Sequence, residues 1–368
     1  MLKVQLKCPT KILLITDLYP VDNFDKSIPL AIENFALAFK DYGINIEVIR
    51  PNFLFNTILR KHKIYKQGTY QRNGIKIYNR NFFLPFIYDN FEVQNNYDLI
   101  ISHMPSGNIY ADLINKKLNL PHICIVHQSD YKVLSDFKYS LYFKNRLKEA
   151  IKNSSLIGAR NSNLANKAKA DFILPSFIDK KCILNKKKSQ EKLKIITISR
   201  LIKRKNIDMV IKALSKLNCD FQYDIYGYGC DKKRLEKLVL KYNLENKIIF
   251  HGKIEHDLIW EKLDKSDIFI LPSENETFGL CYLEAMARGL IVIAKKNESM
   301  DDIIKNNVNG FLVDNSEEIK NILENLDVYK KQEIINNTLD NIKNFEKVKV
   351  MKRYIDIITN CIKDLKQI

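Results

Sequence analysis

Residues 267–294 read DIFILPSENETFGLCYLEAMARGLIVIA, and this stretch decides the fold. An apolar run, Asp267–Leu271, breaks at Pro272-Ser273 and crosses a polar turn. A helical pattern then starts near Phe278-Gly279, ends at Arg288-Gly289, and gives way to a second apolar run, Leu290–Ala294. Strand, helix and strand in that order predict a parallel βαβ unit, because parallel neighbours need a crossover. The glycine turn and helix start bring free backbone N–H groups and a positive dipole end together, which makes an anion site. Glu276 stands just before that helix and Glu284 about two turns inside it. Eight helical residues span roughly 12 Å, comparable to the reach from a hexose, past a diphosphate, to a ribose.

The same alternation continues on both sides. In the second half, strands are predicted at Leu193–Ser199, Phe221–Gly227 and Lys247–His251, separated by helices Ile207–Leu217, Lys232–Tyr242 and His256–Leu263. In the first half, short β-branched runs predict strands at Lys11–Thr16, Asn45–Ile49, Ile75–Asn79, Asp98–Ser102, His122–Val126, Ser155–Ala159 and Asp171–Leu174. Their near-continuous apolar character suits parallel strands buried on both faces. Between the first two, Ile28, Ile32, Phe35, Ala36 and Phe39 recur at helical spacing, and the pattern stops at Gly43. Lys180–Lys192 has no apolar period and reads as a linker. A chain of 368 residues exceeds the size at which one core stops growing. The expectation is therefore an α/β protein of two Rossmann-like, doubly wound domains facing a central cleft. Its expected parts are residues 1–182, a linker 183–192, residues 193–344, and a helix over 345–368 that packs back on the first domain.

Composition narrows the function. No uninterrupted apolar stretch approaches the eighteen residues a membrane span needs, and the first thirty residues lack a secretory pattern, so a cytoplasmic location is expected. The 7 cysteines are scattered without a C-x-x-C pair, which suits reduced thiols rather than disulfides or zinc. The net charge is +17, and it is uneven: residues 1–188 carry 29 basic against 15 acidic side chains, residues 189–368 carry 31 against 28. The first half is thus expected to face something anionic, a lipid surface above all. The competing reading is a lysine-rich composition with solvated side chains. No helix-turn-helix, zinc-finger or stacking-platform signature is present, so no nucleic-acid partner is expected.

Glu276 and Glu284, within ETFGLCYLEAMARG, resemble the E-x7-E motif of the family 4 retaining glycosyltransferases of GT-B fold. The resemblance implies that Glu276 bonds donor-sugar hydroxyls, that Glu284 holds the ribose hydroxyls, and that backbone amides of Phe278, Gly279 and Leu280 meet the phosphates. Arg200 and Lys205 lie in a segment similar to the family's Arg-Leu-x-x-x-Lys element, which implies that they neutralise the donor pyrophosphate. Gly229, in Tyr226-Gly-Tyr-Gly229, matches a glycine turn, and Ile254, in Phe250-His-Gly252-Lys253-Ile254, matches the loop near the base. Asn309-Gly310-Phe-Leu-Val313 matches the motif's downstream partner, and Phe172–Asp179 the segment that closes the first domain. His127, after the strand His122–Val126, aligns with a family histidine that contacts sugar or acceptor; a role as base is not implied.

Two departures stand out. Lys26-Ser27 and Glu298-Ser299 occupy positions where relatives carry Gly-Gly, with Ser27 the residue aligned to the donor phosphate. Taken together, the resemblance implies transfer of a hexose or N-acetylhexosamine, with retention, from a nucleotide-diphosphate sugar, a UDP-sugar being expected. The implied acceptor is a glycan or lipid-linked saccharide of a cell-surface polymer, met at the inner face of an anionic membrane. No cofactor and no metal are expected. A non-catalytic, glycosyltransferase-like partner subunit is the alternative that the missing Gly-Gly leaves open; an epimerase acting on nucleotide sugars is another.

Overall fold

The computed structural model describes residues 11–20, 31–53, 66–82, 96–184 and 192–366. The chain divides into two compact units, Met1–Leu174 with Met351–Ile368, and Pro175–Val350.

The first unit is built on an eight-stranded sheet: β1 (Lys11–Thr16), β2 (Asn45–Phe53), β3 (Gly68–Arg72), β4 (Ile75–Phe82), β5 (Leu99–His103), β6 (His122–Val126), β7 (Leu156–Ala159) and β8 (Phe172–Ile173). The spatial order is β3-β4-β2-β1-β5-β6-β7-β8, parallel except for β3 against β4. Central strands β1, β5 and β6 are buried almost throughout, as apolar runs covered on both faces must be. β3 was not predicted. It is an edge strand of alternating exposure joined to β4 by Asn73-Gly74, both at positive φ, the Asn-Gly turn typical of hairpins. Tyr354, on the helix Lys347–Lys366, sets its ring among Phe35, Phe39 and Phe172.

The second unit carries six parallel strands: β9 (Leu193–Ile198), β10 (Phe221–Tyr226), β11 (Ile248–Gly252), β12 (Ile268–Leu271), β13 (Ile291–Lys295) and β14 (Phe311–Val313). Their order, β11-β10-β9-β12-β13-β14, is the Rossmann order. The chain reverses its winding between β9 and β12, and ligands of such sheets bind beyond the carboxyl ends at that point. Both halves of the predicted fold are therefore present as Rossmann-like parallel sheets.

The boundaries need correction. The first domain was expected to end at 182 and the linker to fill 183–192, yet the division falls at Leu174/Pro175. The reason is hydrogen bonding within the second unit. Ile178 N–H donates to Phe345 O at 2.9 Å, Leu184 N–H to Ala287 O at 2.9 Å, and Arg288 Nη1 to Cys182 O at 3.2 Å. Lys180–Leu184 is anchored by these bonds, and residues 185–191 of the expected linker lie outside the described residues. The C-terminal helix begins at Lys347 and rejoins the first unit at Met351, a few residues beyond the expected 345.

Candidate functional site

β9 and β12 end side by side, so the loops that follow them are neighbours. After β9 come Ser199 and Arg200, a short 3-10 turn Lys203–Lys205, and the helix Ile207–Leu214. Asn206 takes a left-handed conformation at the junction, and its Nδ2 donates to Pro272 O and to Glu274 Oε1, both at 3.0 Å. Glu274 N–H returns a bond to Arg204 O at 2.8 Å. The two loops are thereby fastened to each other.

This fastening turns Lys205 inward. Its ammonium makes a direct ion pair with Glu276 Oε2, which also accepts from Ser273 Oγ at 3.1 Å and lies 3.7 Å from Arg204 Nη1. Burial alone would raise the Glu276 carboxyl; the Lys205 charge and hydrogen bond, helped by Arg204 and Ser273, outweigh it and hold the group below its usual range. Glu276 is therefore a fixed carboxylate acceptor. Arg200, in contrast, is exposed and forms no ion pair among the described residues, which leaves its guanidinium open to an anion.

Gly279 starts the helix Leu280–Ala287 at φ +80°, and a Cβ there would meet the Tyr282 ring at 2.5 Å. Its N-cap, Gly279, has no side chain to satisfy the first amides of the helix. Tyr282 OH ties the helix back to Leu271 O at 2.6 Å. Phe278 and Leu280 place their side chains in or against the core. The departure at Glu298-Ser299 has a physical account. Glu298 accepts from Asn275 N–H at 2.9 Å and Glu276 N–H at 3.4 Å, while Ser299 Oγ donates to Phe278 O at 3.2 Å. Side chains at these two positions brace the Glu276 loop. Burial, and then the nearby charges of Glu274 and Glu276, push the Glu298 carboxyl up, against the two amide bonds.

Glu284, a little over one turn into the helix, is buried, and His256 Nε2 lies 2.9 Å from its Oε1. Ile254 is half-buried against the same apolar cluster. A Cβ on Gly229 would lie 2.1 Å from Leu201 O, so this glycine is required by the approach of its loop to the Arg200 segment. Leu201 N–H donates to Tyr228 O at 2.8 Å across that approach. Arg204, Ser273, His256 and Glu298 are site residues that the sequence reading missed.

In the first unit His127 opens the helix Gln128–Ser135, and its Nε2 lies 3.0 Å from His103 Nδ1. Burial, followed by the Arg160 charge, lowers the His127 pKa to about 3, so the imidazole is neutral at ordinary pH. Asp130 accepts from His127 N–H and from Asn108 Nδ2, each at 2.8 Å, and burial raises its pKa to about 7. Ser27 lies outside the described residues. Among the described residues no three His, Cys, Asp or Glu side chains come together as a metal ion would require.

Residues 179–347 match the family model described as glycosyl transferases group 1, a span that contains the whole second-unit site. An uncharacterized glycosyltransferase of Methanocaldococcus jannaschii, MJ1178, is 28% identical over 240 residues, 59% of this chain; the chain spans 61% of that relative's length. A second from the same organism, MJ1069, is 29% identical over 306 residues, 70% of this chain and 76% of the relative. The crystal structure of Anabaena HepE in complex with UDP and glucose shares the fold, with a TM-score of 0.72 at 18% identity over 95% of this chain and 100% of that one. The matched segment, the relatives' names and the GT-B fold support a glycosyltransferase.

The buried ion pair carries a pH-dependent prediction. Glu276, held low in the folded state, adds stability above its unfolded pKa of about 4.3 that is lost as pH falls through the folded value. Lys205→Met removes the cation, and burial then raises the carboxyl instead. The variant should be less stable by about 3 kcal/mol at pH 7.5, with the deficit shrinking toward pH 4.5 as Glu276 protonates. Denaturant unfolding at both pH values checks this. Lys205→Met/Glu276→Gln should recover most of the loss; an equal deficit at both pH values would contradict the assignment.

Proposed function

We infer, from the glycosyl transferases group 1 segment and the GT-B fold, that this chain moves a hexose or N-acetylhexosamine from a UDP-sugar to a glycan or lipid-linked acceptor, with retention and without a metal. The observation that carries this reading is the cluster at the ends of β9 and β12: a fixed Glu276 carboxylate, its Lys205 partner, an Arg200 that forms no ion pair among the described residues, and the helix start at Gly279. HepE, which shares the fold, was crystallised in complex with UDP and glucose.

The division of labour follows from charge. As the bond between sugar and phosphate breaks, negative charge grows on the departing diphosphate, and fixed cations and amides stabilise it selectively. Arg200 and the amides at Gly279 and Leu280 supply that field. Lys205 has three N–H donors, so it can keep Glu276 while giving another to a phosphate oxygen. Glu276 accepts sugar hydroxyls, and Glu284 accepts those of the ribose. A neutral His127 offers hydrogen bonding to sugar or acceptor rather than charge. Under this reading the leaving phosphate takes the acceptor's proton, so no protein nucleophile is required.

The acceptor side of the reading is an anionic membrane at the cytoplasmic face. Its support is the surface of the first unit around the helix Leu141–Lys152. Phe137 is 89% and Leu141 72% exposed, Tyr142 is exposed beside them, and Lys138, Lys148 and Lys152 are exposed nearby. Phe143 and Leu147, on the opposite face, are buried in the core. The apolar residues of this stretch are therefore split between packing and display, and Lys144 is only half-exposed. Rings at headgroup level with lysines on lipid phosphates make a reversible anchor. Among the described residues no helix is long and apolar enough to cross a membrane.

Two measurements test these assignments. Glu276→Gln should lower turnover about a hundredfold, whereas Glu284→Gln should chiefly raise the donor KM; two variants with unchanged kinetics would refute the roles. The full chain should co-sediment with phosphatidylglycerol-containing vesicles and not with neutral ones at low salt. Phe137→Ser/Leu141→Ser should weaken that association several-fold, and equal binding to both vesicle types would sink the membrane assignment.

A further inference from the structure

His256 is the first residue of the helix His256–Asp264, which the Glu255 backbone caps. Its Nε2 reaches Glu284 Oε1 from a different crossover, 28 residues away in sequence. The imidazole side chain is 45% exposed and the glutamate side chain 6%. Among the described residues no other hydrogen-bond donor reaches the Glu284 carboxylate, so Oε2 keeps its full acceptor capacity. The imidazole is itself held: its edge meets Trp260 one turn on, with centroids 6.4 Å apart. Arg288 covers the Trp260 ring at 5.3 Å and is locked to Asp264 at 2.7 Å.

We propose that His256 is a positioning residue for the donor nucleotide, which holds one oxygen of Glu284 so that the other meets the ribose hydroxyls. In its imidazolium form it holds that oxygen more firmly, through a charge-assisted hydrogen bond. The inference rests on the ribose role given above to Glu284. A carboxylate at the end of a rotatable side chain loses freedom when it binds a sugar, and a partner that has already fixed it removes that cost.

The surroundings set the sense of the pH effect. The Glu284 hydrogen bond raises the His256 pKa most; burial opposes it, and the charges of Glu284 and Asp257 add to it. From other elements, Arg288 is engaged by Asp264, Lys253 lies over the Tyr228 ring, and Asp179 and Lys181 flank Cys182. The charged imidazolium is thus populated nearer to neutral pH than in a free histidine, and is lost as pH rises.

Calorimetric titration with UDP and with 2′,3′-dideoxy-UDP, at pH 6.0 and 8.0, tests this on the full chain. His256→Ala should weaken UDP binding roughly fivefold to tenfold at pH 6.0. The dideoxy analogue should bind the variant and the unaltered chain alike, since it lacks the hydroxyls that Glu284 meets. His256→Gln, which keeps an amide donor near the Nε2 position, should recover most of the loss. The advantage of histidine over glutamine should be smaller at pH 8.0 than at pH 6.0. UDP affinity indifferent to His256, or an equal loss for the dideoxy analogue, overturns the proposal alone. No UDP binding by the unaltered chain overturns the donor reading as well.

Discussion

A carboxylate placed at the end of a buried parallel strand needs a cation, and here Lys205 supplies it to Glu276. The pair spans 71 residues of sequence and can form only if β9 and β12 are neighbours, so it depends on the Rossmann strand order. In return it constrains both loops. Burying two charges is unfavourable unless their remaining hydrogen bonds are met. Ser273 Oγ donates to the Glu276 carboxylate and Arg204 adds a second cation beside it, while Glu298 and Asn206 brace the backbone of the loop. The result is a carboxylate whose position is fixed in advance, as preorganised electrostatic stabilisation requires.

The same constraint explains the glycines nearby. Gly227 and Gly229 pass so close to Ser199 O and Leu201 O that a Cβ would overlap backbone oxygen, at 1.7 and 2.1 Å. Their loop thereby supports the Arg200 segment from the side opposite Glu276's loop. Gly279 serves differently: its positive φ turns the chain abruptly from the Glu276 loop into the helix that carries Glu284. The amides of the helix start and the second carboxylate, Glu284, follow from that single turn. At Glu298 and Ser299 side chains rather than glycines brace the Glu276 loop.

Legibility in the sequence followed burial. β1 and β6 match their predicted limits because continuous apolar runs have sharp edges. β3 was missed because an exposed edge strand containing Thr69, Gln71 and Arg72 has no apolar run, although Asn73-Gly74 marked its turn. The domain boundary moved because hydrogen bonds from Ile178 and Leu184, invisible to periodicity, hold a polar stretch against the second unit. Glu276 and Glu284 stood out by their spacing within one segment, and Lys205 by the resemblance of its segment to the Arg-Leu-x-x-x-Lys element; the structure brings Lys205 and Glu276 together. Glu298 and His256 did not stand out, since each reaches the site from another crossover, and nothing local marks a glutamate as a loop brace or a histidine as a carboxylate partner.

The central claim, that the second-unit cluster neutralises a departing diphosphate and leaves the sugar on the face it occupied, meets its most direct test in the stereochemistry of the product. The full chain, supplied with an α-linked UDP-sugar, an acceptor saccharide and excess chelator, can be followed by proton NMR of the new anomeric signal. The account predicts release of UDP at an undiminished rate and an α-linked product. A β-linked product, or release that stops with chelator and returns with added metal, would contradict it.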